Sequence, residues 1–229
     1  MRLRFAHLLP LVLLLPGVAP AASKPKVHTV GLGAMRKVAY TPAFSTPDSK
    51  DEDSTTLKVR PLIVDDKLKE WTVGEQHNIS ERTFAVRRVL HINDTLPTES
   101  GEHWVWQPAS WILVDRSTGH ITALHLPDFD AAISSAVWYR DYAAYCGLNS
   151  SAKGSSLVAV VAQVGGRKAV AQRPIGKWPL PDTTHPPCQT SRWQRLPMRA
   201  TLQPVAGEPV TFDVIGSTSL IEEGDNDDE

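Results

Sequence analysis

Residues 84–94 read Phe-Ala-Val-Arg-Arg-Val-Leu-His-Ile-Asn-Asp. In an extended chain Phe84, Val86, Arg88, Leu90 and Ile92 share one face, and Ala85, Arg87, Val89 and His91 share the other. Period two over this length predicts a half-buried strand, and Asn93-Asp94 supplies turn residues that end it.

The same style extends in both directions. Upstream, Leu57, Val59 and Ile63 alternate with Lys58, Arg60 and Leu62, and Asp65-Asp66 turns the chain into a strand over 68–73. Residues 75–82 are read as a loop. Downstream, 104–107 and 111–114 are two strand candidates. Asp115-Arg116-Ser117-Thr118-Gly119 is then a hairpin loop, with an Asp at its start and a Gly for the left-handed position. Further strands are expected at 120–126, 137–139 and 142–148. Residues 157–164 are nearly all apolar and valine-rich, which predicts a central strand covered on both faces. Gly165-Gly166 turns it into a partner at 167–173. Residues 174–187 hold five prolines and are expected to run irregularly. A last hairpin pairs 196–202 with 210–215. A short helix fits only 130–135.

About ten short strands with turn signals argue for an all-β chain, an antiparallel sandwich or barrel-like fold. The run 111–173 resembles a single propeller-type blade with the edge of the next, in LVDRSTGHITAL and in WYRDYAAYCG followed by LVAVVAQ. It covers about a quarter of the chain and carries no fourfold repeat, so partly blade-like hairpins are expected and a closed propeller is not.

Four regions follow from composition. Arg2 and Arg4, the apolar run 8–15 and Ala19-Pro20-Ala21 read as a signal peptide over 1–22, whose apolar run is too short to span a bilayer. Residues 23–56 read as an N-terminal strand (27–40) followed by a polar flexible linker. Residues 57–216 form the β-domain. Residues 217–229 form an acidic tail with six carboxylates and no base, expected to be disordered and solvated. The whole chain balances 24 Lys plus Arg against 25 Asp plus Glu. Loss of the two leader arginines takes the net charge from −1 to −3. A periplasmic or secreted location follows from the leader, and with it a disulfide between Cys146 and Cys188. A bridge closing a loop of this length adds about 4 kcal/mol in the chain-entropy model.

No nucleophile elbow, zinc-protease helix, phosphate loop or calcium loop is present, and the histidines are scattered. No cofactor and no metal site is expected, and export argues against nucleic acid as a partner. The aromatic and basic residues carry more information. Seven tryptophans are many for this length. Trp104 and Trp106 share a strand face, whereas Trp111 and Trp138 are expected in the core. Arg167, Lys168 and Arg192 belong to a basic stretch interleaved with Trp178 and Trp193. Tyr139 and Arg140 lie between, beside Asp141, which is read as a local turn or ion pair. The expectation is a non-enzymatic exported binding or assembly module. Trp104, Trp106, Tyr139, Arg140, Arg167, Lys168 and Arg192 would engage a glycan or an envelope protein. The alternative is an exported hydrolase of glycan or cell-wall bonds using Asp128 or Asp130.

Overall fold

Alternation at 84–93 becomes β5 (Thr83–Asn93), the centre of the largest sheet. The structure is a computed structural model and describes residues 27–40, 56–152, 154–179 and 186–215. The expected leader, linker and acidic tail lie outside those residues. Among the described residues there are fourteen strands and no helix, and all strand pairs are antiparallel.

The first sheet contains β1 (Val30–Leu32), β2 (Arg36–Ala39), β3 (Thr56–Val64), β4 (Lys67–Asn78), β5, β6 (Trp104–Asp115) and β7 (Ile121–Ala123). Its order is β1-β3-β4-β5-β6-β7, with β2 also paired to β3. The sheet curls into a half-barrel, so that Arg36 on β2 reaches the Trp106 ring on β6. The second sheet is a meander of β8 (Val137–Tyr139), β9 (Tyr142–Ser151), β10 (Gly154–Gln163) and β11 (Ala171–Trp178). The third holds β12 (Arg192–Gln194), β13 (Arg199–Leu202) and β14 (Val210–Asp213). The blade-like hairpins are present, but the 111–124 hairpin belongs to the first sheet and the 137–178 meander to the second.

Apolar side chains gather in three clusters. Leu62, Phe84, Val86, Ile112 and Val114 fill one side of the first sheet. Ala85 and Trp111 point the other way and meet Tyr145, Val158 and Val160 of the second sheet. The first half of β5 is therefore buried on both faces, whereas Leu90 and His91 are exposed. Strand β10 is buried from Leu157 to Ala162, as its composition predicts. Its far side, with Tyr142, Ala144 and Cys146, packs on Ala200, Leu202 and Val210 of the third sheet. The disulfide Cys146–Cys188 spans this layer, with Cα atoms 6.2 Å apart. His77 and Trp138 stack between the first and second sheets, and the His77 Nε2 lies 2.6 Å from the Arg140 carbonyl oxygen.

Four sequence expectations are corrected. Residues 75–78 belong to β4, because His77 and Asn78 pair with Ala85 and Phe84 beyond a bulge near Gly74 at φ 75°. The two candidates at 104–107 and 111–114 are one strand, β6, joined across Pro108. The outer edge of β6 has a partner only at Ile112–Val114, so the missing N–H of Pro108 breaks no sheet bond there. The partner of β10 begins at Ala171 rather than 167 and runs through Pro174 to Trp178, where irregular chain was expected. Pro174 fits because β11 is an edge strand with a register shift at Leu157/Val158. The possible helix at 130–135 is a single turn, closed by Ser134 N–H on the Asp130 carbonyl at 2.8 Å.

Candidate aromatic site

Cross-strand register decides which side chains meet. His91 pairs with Trp106, Asn93 with Trp104, and Trp71 with Val89, so these residues share one face of the first sheet. It is the face that carries Ala85, beyond the part covered by the second sheet. There the rings form a continuous stack. The His91 imidazole lies parallel to Trp106, centroids 4.4 Å apart, and 5.2 Å from Trp104 on its other side. Trp106 meets Trp71 edge-to-face at 5.7 Å. The Arg36 guanidinium caps the row, 4.1 Å from the Trp71 centroid and 5.3 Å from that of Trp106. Cation–π contacts of this kind hold Arg36 flat on the rings. Trp104 is 50% exposed, with its Nε1–H donated to Glu102 at 2.9 Å. Val59 and Val89, which share this face, are fully buried, so the stack sits on a packed floor.

Beside the stack lies a cleft of about 470 Å³ lined by Tyr40, Asp94, His103, Trp106, Gln107 and Pro108, among others. That volume is within the range of ligand pockets. It adjoins the half of β6 that has no outer partner. Arg87 is tied to the lining residue Ala131, donating from Nη2 to its carbonyl oxygen at 2.5 Å and from Nε to Ala109 O at 3.2 Å. Burial holds the Arg87 guanidinium below its usual range, while the nearby Tyr40 counteracts this. Burial pushes the Tyr40 phenol up, against the pull of Arg87. The arrangement offers aromatic faces and edges, the Arg36 guanidinium, the Asp94 carboxylate and the His91 and His103 imidazoles.

The other sequence-predicted binding residues lie elsewhere. Tyr139 ends β8, and Arg140 forms the β8–β9 turn with Asp141. The Tyr139 ring is 5.7 Å from Trp193 and the Arg140 guanidinium 5.6 Å from Tyr139. Trp193 is fixed by its Nε1–H on Val137 O at 2.9 Å. Arg167 and Lys168 are exposed in the β10–β11 turn, and Arg192 is exposed on β12. Among the described residues no ring or cation–π contact joins this group to the Trp104 stack.

Trp111, 8% exposed, and half-buried Trp138 are core neighbours at 5.1 Å, as expected. Asp141 is a buried turn residue, the first of the two readings from sequence, and its Oδ2 accepts from Gln163 at 2.8 Å. Asp128 and Asp130 border a second cleft of about 490 Å³ with Trp111, His125 and Phe129. Asp128 has φ 55° and accepts from Asn149 and Gln172. Asp130 Oδ1 accepts from Ala132 N–H at 2.8 Å. Both carboxylates hold turns in place. No group of three or more metal-ligating side chains occurs among the described residues.

Arg36 and Trp71 were not singled out by sequence, and Trp193 was noted only as interleaved with the basic stretch. Trp71 carried a weak signal, the strand at 68–73, but its meeting with Trp106 depends on a bulge and a curl that leave no mark in composition. Comparison of the chain with protein-family models, curated proteins and solved structures finds no match.

Proposed function

We propose that this chain is an exported, non-enzymatic β-domain that binds or assembles with an envelope or extracellular partner, a glycan or a protein. The observation that carries the reading is the Trp104–His91–Trp106–Trp71–Arg36 stack bordering the 470 Å³ cleft. A half-exposed tryptophan over a packed floor buries much area on contact and freezes few rotors. A glycan would lay the C–H faces of its sugars on Trp104. A protein partner would bring an apolar or aromatic side chain to the same place. The Cys146–Cys188 bond and the expected leader support an oxidising destination. Among the described residues no helix is long and apolar enough to cross a membrane.

The test is direct binding of the purified mature chain to a panel of envelope polysaccharides and to immobilised envelope-protein extracts. Saturable binding weakened about tenfold or more by Trp104→Ala or Trp106→Ala supports the site, in keeping with aromatic hot spots. Binding to nothing in the panel, or binding indifferent to both substitutions, removes it. The hydrolase alternative has less behind it, since Asp128 and Asp130 are engaged by neighbouring amides.

A further inference from the structure

One end of the second and third sheets gathers three turns. The β8–β9 turn at Arg140 lies beside the end of β10, where Gln163 pairs with Tyr142 and Val164 N–H donates to Asp141 O at 2.8 Å. The β10–β11 turn, with Arg167, Lys168 and Val170, follows directly. The β12–β13 turn, with Arg195, Leu196 and Pro197, lies beyond Trp193, which is itself against Tyr139 and Val137. The end of β14 joins them, because Val214 N–H donates to Met198 O at 2.9 Å.

Two properties coincide there. Leu196 is 83% exposed, Ile215 91% and Val170 45%. Leu196 and Ile215 are two of the three most exposed large apolar side chains among the described residues. Around them stand exposed Arg140, Arg167, Lys168, Arg192 and Arg195, none in an ion pair with a described acid. The acids of this end are already engaged: Asp213 pairs with Arg199, and Asp141 is buried against Gln163.

Projecting apolar side chains beside cations that have no ion pair among the described residues match the chemistry of a bilayer interface bearing anionic headgroups. A soluble polyanion would use the cations but gain nothing from Leu196 and Ile215. An acidic protein would also use the cations, and it would need apolar side chains of its own to cover Leu196 and Ile215. We infer that this end docks peripherally on an anionic lipid surface, with Leu196, Ile215 and Val170 entering the headgroup region and the five cations contacting lipid phosphates. The inference does not rest on the function proposed for the tryptophan stack, which belongs to the first sheet.

Flotation of the full mature chain with vesicles tests it. Vesicles of phosphatidylcholine with phosphatidylglycerol are expected to carry the protein, and pure phosphatidylcholine vesicles are not. Each of Arg167→Gln, Lys168→Gln and Arg192→Gln should weaken partitioning about fivefold. Leu196→Ser should weaken it about tenfold without lowering thermal stability, because the side chain is exposed. Trp104→Ala should leave partitioning unchanged. Absence of binding to the anionic vesicles overturns the inference. So does binding that Leu196→Ser does not alter and that soluble dextran sulfate abolishes, which would make the end a polyanion site.

Discussion

The first sheet and the two smaller sheets solve the same problem differently. In the described residues the first sheet and its connections, up to residue 136, hold ten Lys or Arg and eleven Asp or Glu. The remainder, from residue 137 onward, holds eight Lys or Arg and three Asp or Glu. The first part spaces opposite charges along long strands and ties them, as in Arg60–Glu75, Arg82–Asp115 and Arg88–Glu70. The second leaves Arg140, Arg167, Lys168, Arg192 and Arg195 without an ion pair among the described residues, pairs Arg199 with Asp213, and relies on a doubly buried strand and a disulfide. Long strands with paired charges need no covalent tie. Short strands do, since β12, β13 and β14 are three or four residues each and such small sheets are marginal alone.

The strongest challenge to that contrast is removal of the bridge. Cys146→Ala with Cys188→Ala opens a loop of 42 residues in sequence separation, and should cost about 4 kcal/mol, a fall in Tm of about 10 °C for a domain of this size. Hydrogen exchange should then rise in β9 and β12–β14 first. Equal acceleration in β3–β6 would mean the two parts open as one unit, and the contrast would fail. Leu62→Ala tests the other part. Leu62 is fully buried among Phe84, Val86 and Ile112, and truncation should cost about 3 kcal/mol, read by denaturant midpoint, with exchange rising in the first sheet.

Gly147→Ala probes the seam. A Cβ there would lie 2.3 Å from the Asp128 backbone oxygen, so the 127–130 loop must move. The expected loss is about 2 kcal/mol, with a Tm below wild type by calorimetry; an unchanged Tm would show the loop free to yield. The smallest effect is at Asp115. Partial burial pushes its carboxyl up, but hydrogen bonds from Ser117 and Thr118 and the Arg82 guanidinium outweigh this and hold it at about 2. A folded value below the ordinary one contributes stability that is present above about pH 4 and lost as pH falls towards 2. Acid titration of stability should show this loss, about 1 kcal/mol, in wild type and a shallower one in Asp115→Asn.

Much of the strand inventory was legible because alternation and turn residues are local. The β10 core strand, the 115–119 hairpin loop and the pairing of Cys146 with Cys188 followed from runs of valine, an Asp–Gly frame and an expected oxidising compartment. Both corrected proline segments have one cause. Proline is tolerated in a strand where its missing N–H has no ladder partner, as at Pro61 of β3 between the stretches paired with β1 and β2, and which positions those are is set by strand order, which no single segment encodes. The site divides the same way. Trp104 and Trp106 were visible as a period-two pair. Their meeting with Trp71 and Arg36 needed register across β2 to β6, and the placing of Tyr139 beside Trp193 needed the arrangement of the second and third sheets.

Pro108 and Pro174 have a further consequence. Each sits on a sheet margin that no described strand covers over its whole length, β6 over 104–110 and β11 along one side. A margin that lacks one amide hydrogen cannot template a regular ladder with a second molecule. The tryptophans beside Pro108 can therefore stay open to solvent without seeding fibrils, and Pro108→Thr should be the substitution that makes concentrated protein aggregate.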